Sequence, residues 1–127
     1  MNVVDSSGWI EYALDGPNAE FFQPPLLDTR DLVVPVISIF EVYRFVLRER
    51  GRDAALALAA SMRQGRVVSL DAGVAVEAAE LATSFRLPMA DAIIYTVARL
   101  HEATLWTQDT DFRDLEGVNF VAARGGR

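Results

Sequence analysis

Short β-branched runs separated by helix-length segments constrain this chain more than any other feature. Val3-Val4, Leu32 to Ile37, Val67 to Leu70, Thr104 to Thr107 and Asn119 to Ala122 read as strands. Between them lie helical patterns. Ser6 and Ser7 can cap a short helix through Trp9, Ile10 and Tyr12, which Gly16-Pro17 breaks. Asn18 can cap another around Phe21 and Phe22, and Pro24-Pro25 is expected to limit it. Ser38 opens a long helix through Arg50 that Gly51 closes, and Asp53 begins an alanine-rich helix ending near Gly65. Val74 to Phe85 is helical, and Pro88 stands in the first turn of a helix running to about Glu102. Strands that alternate with helices favour a parallel sheet covered on both faces. In such sheets ligands bind outside the carboxyl ends of the strands, so the residues just after each strand matter most.

The 127 residues suit one domain spanning 1–127, with 124–127 expected as a frayed tail. A hydrophobic fraction of 51% is that of a folded chain. With no cysteine, disulfide scaffolds, zinc–thiolate sites and cysteine nucleophiles are excluded. The single histidine, His101, excludes any site needing two imidazoles and reads as a surface or partly buried helix residue. Trp106, in a strand, reads as core. All 12 basic residues are arginine, so no P-loop lysine, Schiff-base lysine or lysine general base exists. The net charge of −6 argues mildly against a nucleic-acid partner, although local arrangement counts for more than the sum. The longest apolar runs are far below the ~18 residues that cross a bilayer. The N-terminus carries no basic leader, so a cytoplasmic protein without membrane contact is the simplest reading.

The residues that follow the strands are acidic. Asp5 ends the first strand, Glu41 lies one turn into the helix after the second, and Asp109 and Asp111 follow the fourth. Asp91 opens the helix before the fourth strand. Each has a purely structural explanation. Asp5 can cap the Ser6–Ser7 helix, Ser38-x-x-Glu41 fits a capping box, Asp91 complements a helix dipole, and Asp109 or Asp111 can cap the turn at Phe112. Together they carry a cost. Two unit charges ~5 Å apart at an effective dielectric of ~20 repel by about 3 kcal/mol. Raised pKa values or a hard divalent cation would relieve it. All-oxygen ligation favours Mg²⁺ or Mn²⁺ over Zn²⁺, and ions so held often complete their shells with substrate phosphates.

The segments Val-Val-Asp5-Ser-Ser, Ser38-x-x-Glu41, Leu-Pro-Met-Ala-Asp91-Ala-Ile-Ile and Leu-Trp-Thr107-Gln-Asp109-Thr-Asp111-Phe112 together resemble a PIN domain. More narrowly, they resemble the VapC ribonuclease toxins of prokaryotic toxin–antitoxin pairs. The resemblance covers essentially the whole chain. It implies a three-layer α/β/α sandwich with a central, mainly parallel sheet of about five strands. It implies hydrolysis of RNA phosphodiesters with Mg²⁺ or Mn²⁺, a homodimer, and a cognate VapB-type antitoxin as inhibitor. By motif, Asp5, Glu41, Asp91 and Asp109 match the catalytic acids, with Asp5, Asp91 and Asp109 as metal ligands. Asp111 matches a fifth, more variable acid around them, and Thr107 matches a hydroxyl near the metal. One acid not tied up as a ligand, Glu41 or Asp109, would orient the attacking water.

Positive groups should line the rim of an acidic RNA-cleaving pocket. Arg44 and Arg48 follow Glu41 at helical offsets and are candidates for contacts to RNA phosphates. The alternative is a solvated surface, or pairing with Glu49 or Asp53. The helix from Ser38 to Arg50 is apolar around more than one stripe. Part of it, with Trp9 and Tyr12, is expected either in the core or in an antitoxin groove or dimer contact. Three rival functions remain. A non-catalytic PIN-like interaction module would use the acids only as caps. A receiver-like domain wants a lysine. A haloacid-dehalogenase-type phosphatase wants a lysine and a second Asp where Ser7 stands.

Overall fold

The computed structural model describes residues 1–124. Its strands are β1 (Asn2–Val4), β2 (Val33–Pro35), β3 (Arg66–Val68), β4 (Thr104–Thr107) and β5 (Val118–Phe120). Its helices are α1 (Ser6–Ala13), α2 (Ala19–Leu27), α3 (Val36–Arg50), α4 (Arg52–Met62), α5 (Ala72–Phe85) and α6 (Met89–Leu100). Short 3-10 turns occupy Thr29–Asp31 and Thr110–Phe112. The expected tail beyond Arg124 lies outside the described residues. No helix among the described residues is long and apolar enough to cross a membrane.

Every strand pair is parallel, as the alternation of strands and helices requires. β4 lies between β1 and β5, with Val3 opposite Leu105 and Trp106 opposite Asn119. β2 pairs with β3, with Val34 opposite Val67. The five expected parallel strands lie as three beside two, tied by one parallel bridge between Asn2 and Leu32. Strands this short leave little length for a ladder at that join.

Alternation along the strands creates the layers. Val3 and Val33 face a core built with Val74, Ala78, Ile94 and Phe112, beneath α5 and α6. Their neighbours Val4 and Val34 face the opposite core, with Trp9, Phe22, Val42 and Met62 from α1 to α4. Helices therefore cover both faces, which makes the α/β/α sandwich.

Several local expectations are corrected. α2 continues through Pro24 and Pro25 to Leu27. Proline removes helical hydrogen bonds, but Ala19, Phe22, Pro25 and Leu26 form a buried stripe, and packing outweighs the propensity cost in so short a helix. The second strand stops at Pro35, and Val36 and Ile37 belong to α3. Ser38 is consequently no cap. It lies inside α3, fully buried, and its hydroxyl has no partner among the described residues. Trp9 is core rather than a docking residue, and Trp106 is only half-buried, its Nε1 donating to Asn2 Oδ1 at 2.8 Å. His101 caps the end of α6 and is partly buried, as expected.

Gly8 permits the close approach of α1 to the sheet. A Cβ there would lie 2.6 Å from Val4 Cγ1 and 2.7 Å from the Phe22 ring, both fully buried. Gly8→Ala should destabilise the protein by about 1–3 kcal/mol through overpacking, despite the ~1 kcal/mol helix preference for alanine. Urea unfolding measures it, and an unchanged midpoint would show that the core yields freely.

Candidate metal centre

The parallel pairing of β1 with β4 sets the site. Val4 lies opposite Trp106, and the Asp5 amide donates to the Trp106 carbonyl at 3.1 Å. The next residues, Asp5 and Thr107, therefore emerge side by side at the carboxyl edge. Thr107 Oγ1 donates to Asp5 Oδ2 at 2.8 Å and accepts the Asp109 amide at 2.9 Å. One hydroxyl thus fixes two acids from different strand ends.

Asp5 also caps α1. Its carboxylate accepts the Gly8 amide at 3.0 Å and the Ser7 hydroxyl at 2.9 and 3.1 Å. Asp109 caps the following 3-10 turn through the Asp111 amide at 2.9 Å. The capping roles considered for these two residues are therefore real, and they hold the carboxylates in place rather than compete with a chemical role. Glu41 has no capping role, because α3 starts at Val36. Its Oε1 accepts the Ser6 hydroxyl at 2.6 Å, which ties the second turn of α3 to the first of α1.

Asp91, in the first turn of α6, points into the same region. Carboxylate oxygens of Asp91, Asp109 and Asp111 lie within 4.8 Å of one another. Asp111 is thus inside the tightest group. Asp5 borders that group, with both its oxygens engaged by donors.

The electrostatics follow from this convergence. Burial pushes Asp91 up to about 7, and the negative charges of Asp109, Asp5, Asp111 and Glu41 push the same way. Burial raises Asp5 to about 6 even though Thr107, Gly8 and Ser7 donate to it, and Asp109 adds to the rise. None of the five acids is in an ion pair among the described residues, whose salt bridges are Arg48–Glu49 and Arg99–Glu116. An all-carboxylate group without a cationic partner suits a hard dication.

All five acids singled out in the sequence share this edge. Arg48 pairs with Glu49 at 3.3 Å, and Arg44 is exposed on the helix that carries Glu41. The sequence reading missed Ser6 and Ser7 as hydroxyl donors to the acids. For Ser7 the Asp-x-Ser spacing was a signal; Ser6 and Glu41, 35 positions apart, offered none. It also missed Asn18, whose side-chain amide donates to Gln108 Oε1 at 2.9 Å and to the Ala122 carbonyl at 3.0 Å, bracing the loop between Thr107 and Asp109.

This architecture is shared with known proteins. It is similar to a toxin–antitoxin complex from Klebsiella pneumoniae, at 20% identity and a TM-score of 0.77, covering 94% of this chain and 96% of that one. It is similar to Mycobacterium tuberculosis VapC20, a Sarcin-Ricin loop cleaving toxin, at 20% identity and a TM-score of 0.78, covering 93% and 97%. FitAcB from Neisseria gonorrhoeae matches at 22% identity with a TM-score of 0.69, covering 95% and 97%. At these identities the likeness is one of fold. No curated protein sequence matches the chain. The PIN domain family matches residues 3–118, nearly the whole length, and the chain belongs to the PIN domain family.

Proposed function

We propose that this protein is a metal-dependent ribonuclease, the toxin of a VapBC-type toxin–antitoxin pair. The observation that carries the reading is the group of carboxylates on one sheet edge, raised in pKa and without a cationic partner. The fold neighbours named as toxins, one of them as cleaving the Sarcin-Ricin loop, support it by analogy of architecture. The partners are then RNA as substrate, a VapB-type antitoxin as inhibitor and a second copy of the chain in a homodimer.

Asp91, Asp109 and Asp111 would hold Mg²⁺ or Mn²⁺, with Asp5 closing the site from the β1 side. When bound, the ion supplies Lewis acidity, offsetting charge on the phosphate oxygens and making water easier to deprotonate. Thr107 keeps Asp5 and Asp109 at a fixed separation. Glu41 uses Oε1 to accept from Ser6, which leaves Oε2 to orient the attacking water and take its proton. Arg44 and Arg48 would hold phosphates flanking the scissile one.

The test is cleavage of an RNA panel by antitoxin-free protein with Mg²⁺ or Mn²⁺, against an EDTA control, with sequencing of the cut ends. Asp91→Asn and Asp5→Asn should each lower the rate at least ~100-fold while circular dichroism stays native. Wild-type rates in both variants would remove the acids from the chemistry. Binding of the ion without cleavage would favour the interaction module instead.

A pH dependence follows from the two raised carboxyls. Asp5 at about 6 and Asp91 at about 7 bind protons in the folded state that the unfolded chain, at 3.8, has already released. Unfolding therefore releases protons across this window, and stability falls as pH rises through it. In EDTA the Tm should be higher near pH 5 than near pH 8, and Mn²⁺ should raise it more at the higher pH, where fewer protons must be displaced. A Tm that is flat with pH in EDTA would count against the buried acid group.

A further inference from the structure

The helix that supplies Glu41 also presents an unusual outer face. Val42 and Val46 turn into the core and Phe45 packs partly against it, while Phe40, Arg44 and Arg48 are exposed. Phe40, Glu41, Arg44, Phe45 and Arg48 line a small cleft of about 250 Å³. Phe40 is 62% exposed, more than any other aromatic among the described residues. Arg48 lies over the Phe45 ring, its Cζ 5.3 Å from the centroid, and bonds Glu49 only through Nε. Arg44 makes no ion pair among the described residues, although the chain carries a net charge of −6.

We propose that this cleft is a single-nucleotide platform for single-stranded RNA. A base stacks on Phe40 and the Phe45–Arg48 pair, and Arg44 holds the adjoining phosphate. The ligand's identity rests on the ribonuclease reading; the platform itself rests on the aromatic–arginine cleft beside Glu41. A ring stacks on any base, so the platform holds a strand without reading its sequence. The cleft is smaller than the ~300–1,000 Å³ of drug-sized ligand sites, which fits one base better than a protein segment. Duplex RNA keeps its bases stacked within the helix and offers no free face to Phe40. The edge of acids repels phosphate, and two cationic side chains one and two turns along α3 from Glu41 offset that repulsion where the strand enters.

The test measures binding of a labelled single-stranded RNA by fluorescence anisotropy, with Ca²⁺ in place of Mg²⁺ so that cleavage is not the readout. Phe40→Ala should weaken binding roughly tenfold and Phe40→Trp should preserve it, since stacking is worth about 1–3 kcal/mol per base. Arg44→Ala should reduce the slope of affinity against salt by about one. Duplex RNA should bind Phe40→Ala and wild type alike. Because Phe40 is exposed, the Tm of these variants should match wild type. The proposal falls if Phe40→Ala binds single strands as wild type does, if duplex binding drops equally, or if wild type binds no single strand. It also falls if Phe40→Ala spares RNA binding but disrupts self-association, which would give the face to a second copy. Phe40-dependent binding by a protein that cuts no RNA would keep the platform and remove the nuclease; cleavage with Phe40-independent binding would do the reverse.

Discussion

The structure is organised around a repulsion. Five carboxylates meet at one edge, and no ion pair among the described residues involves any of them. A chain that folds with only ~5–15 kcal/mol to spare keeps such a group only if the rest of the fold overrides it. Here the override is geometric. Parallel strands deliver their carboxyl ends to one side, and helices begin there, so the acids are brought together by the same topology that builds the two cores.

Held acids differ from crowded ones. Asp5 cannot turn away, because Gly8, Ser7 and Thr107 all donate to it. Asp109 is fixed by its own cap and by the Thr107 hydroxyl. Asp91 has no such donor among the described residues and carries the larger rise in pKa. The site thus combines rigid carboxylates from the strand ends with one from a helix whose charge is the hardest to sustain. Such a division suits a centre that must accept and hold a cation without rearrangement.

The acids were legible because their positions depend on order along the chain. Asp5, Asp109 and Asp111 follow strands, and Asp91 opens a helix, so pattern and topology place them together. What escaped depended on contacts remote in sequence. Ser-x-x-Glu is a short-range signature, and it reads as a capping box until the boundary at Pro35 moves Ser38 inside α3. The bond from Ser6 to Glu41 then has no local trace. α2 shows the same limit from the other side: Pro24 and Pro25 are breakers by local rule, and the stripe of Ala19, Phe22, Pro25 and Leu26 prevails through burial. Trp9 and Trp106 are equally ambiguous by type, and only packing sends one into the core and leaves the other half outside.

The hydroxyl of Thr107 reaches an acid 102 residues earlier in the chain. During synthesis the first strand therefore leaves the ribosome long before its neighbour in the sheet exists. Until β4 joins, Asp5 keeps only its local donors, Ser7 and Gly8, and the edge lacks its Thr107–Asp109 half. The edge of acids is therefore complete only once β4 has paired with β1.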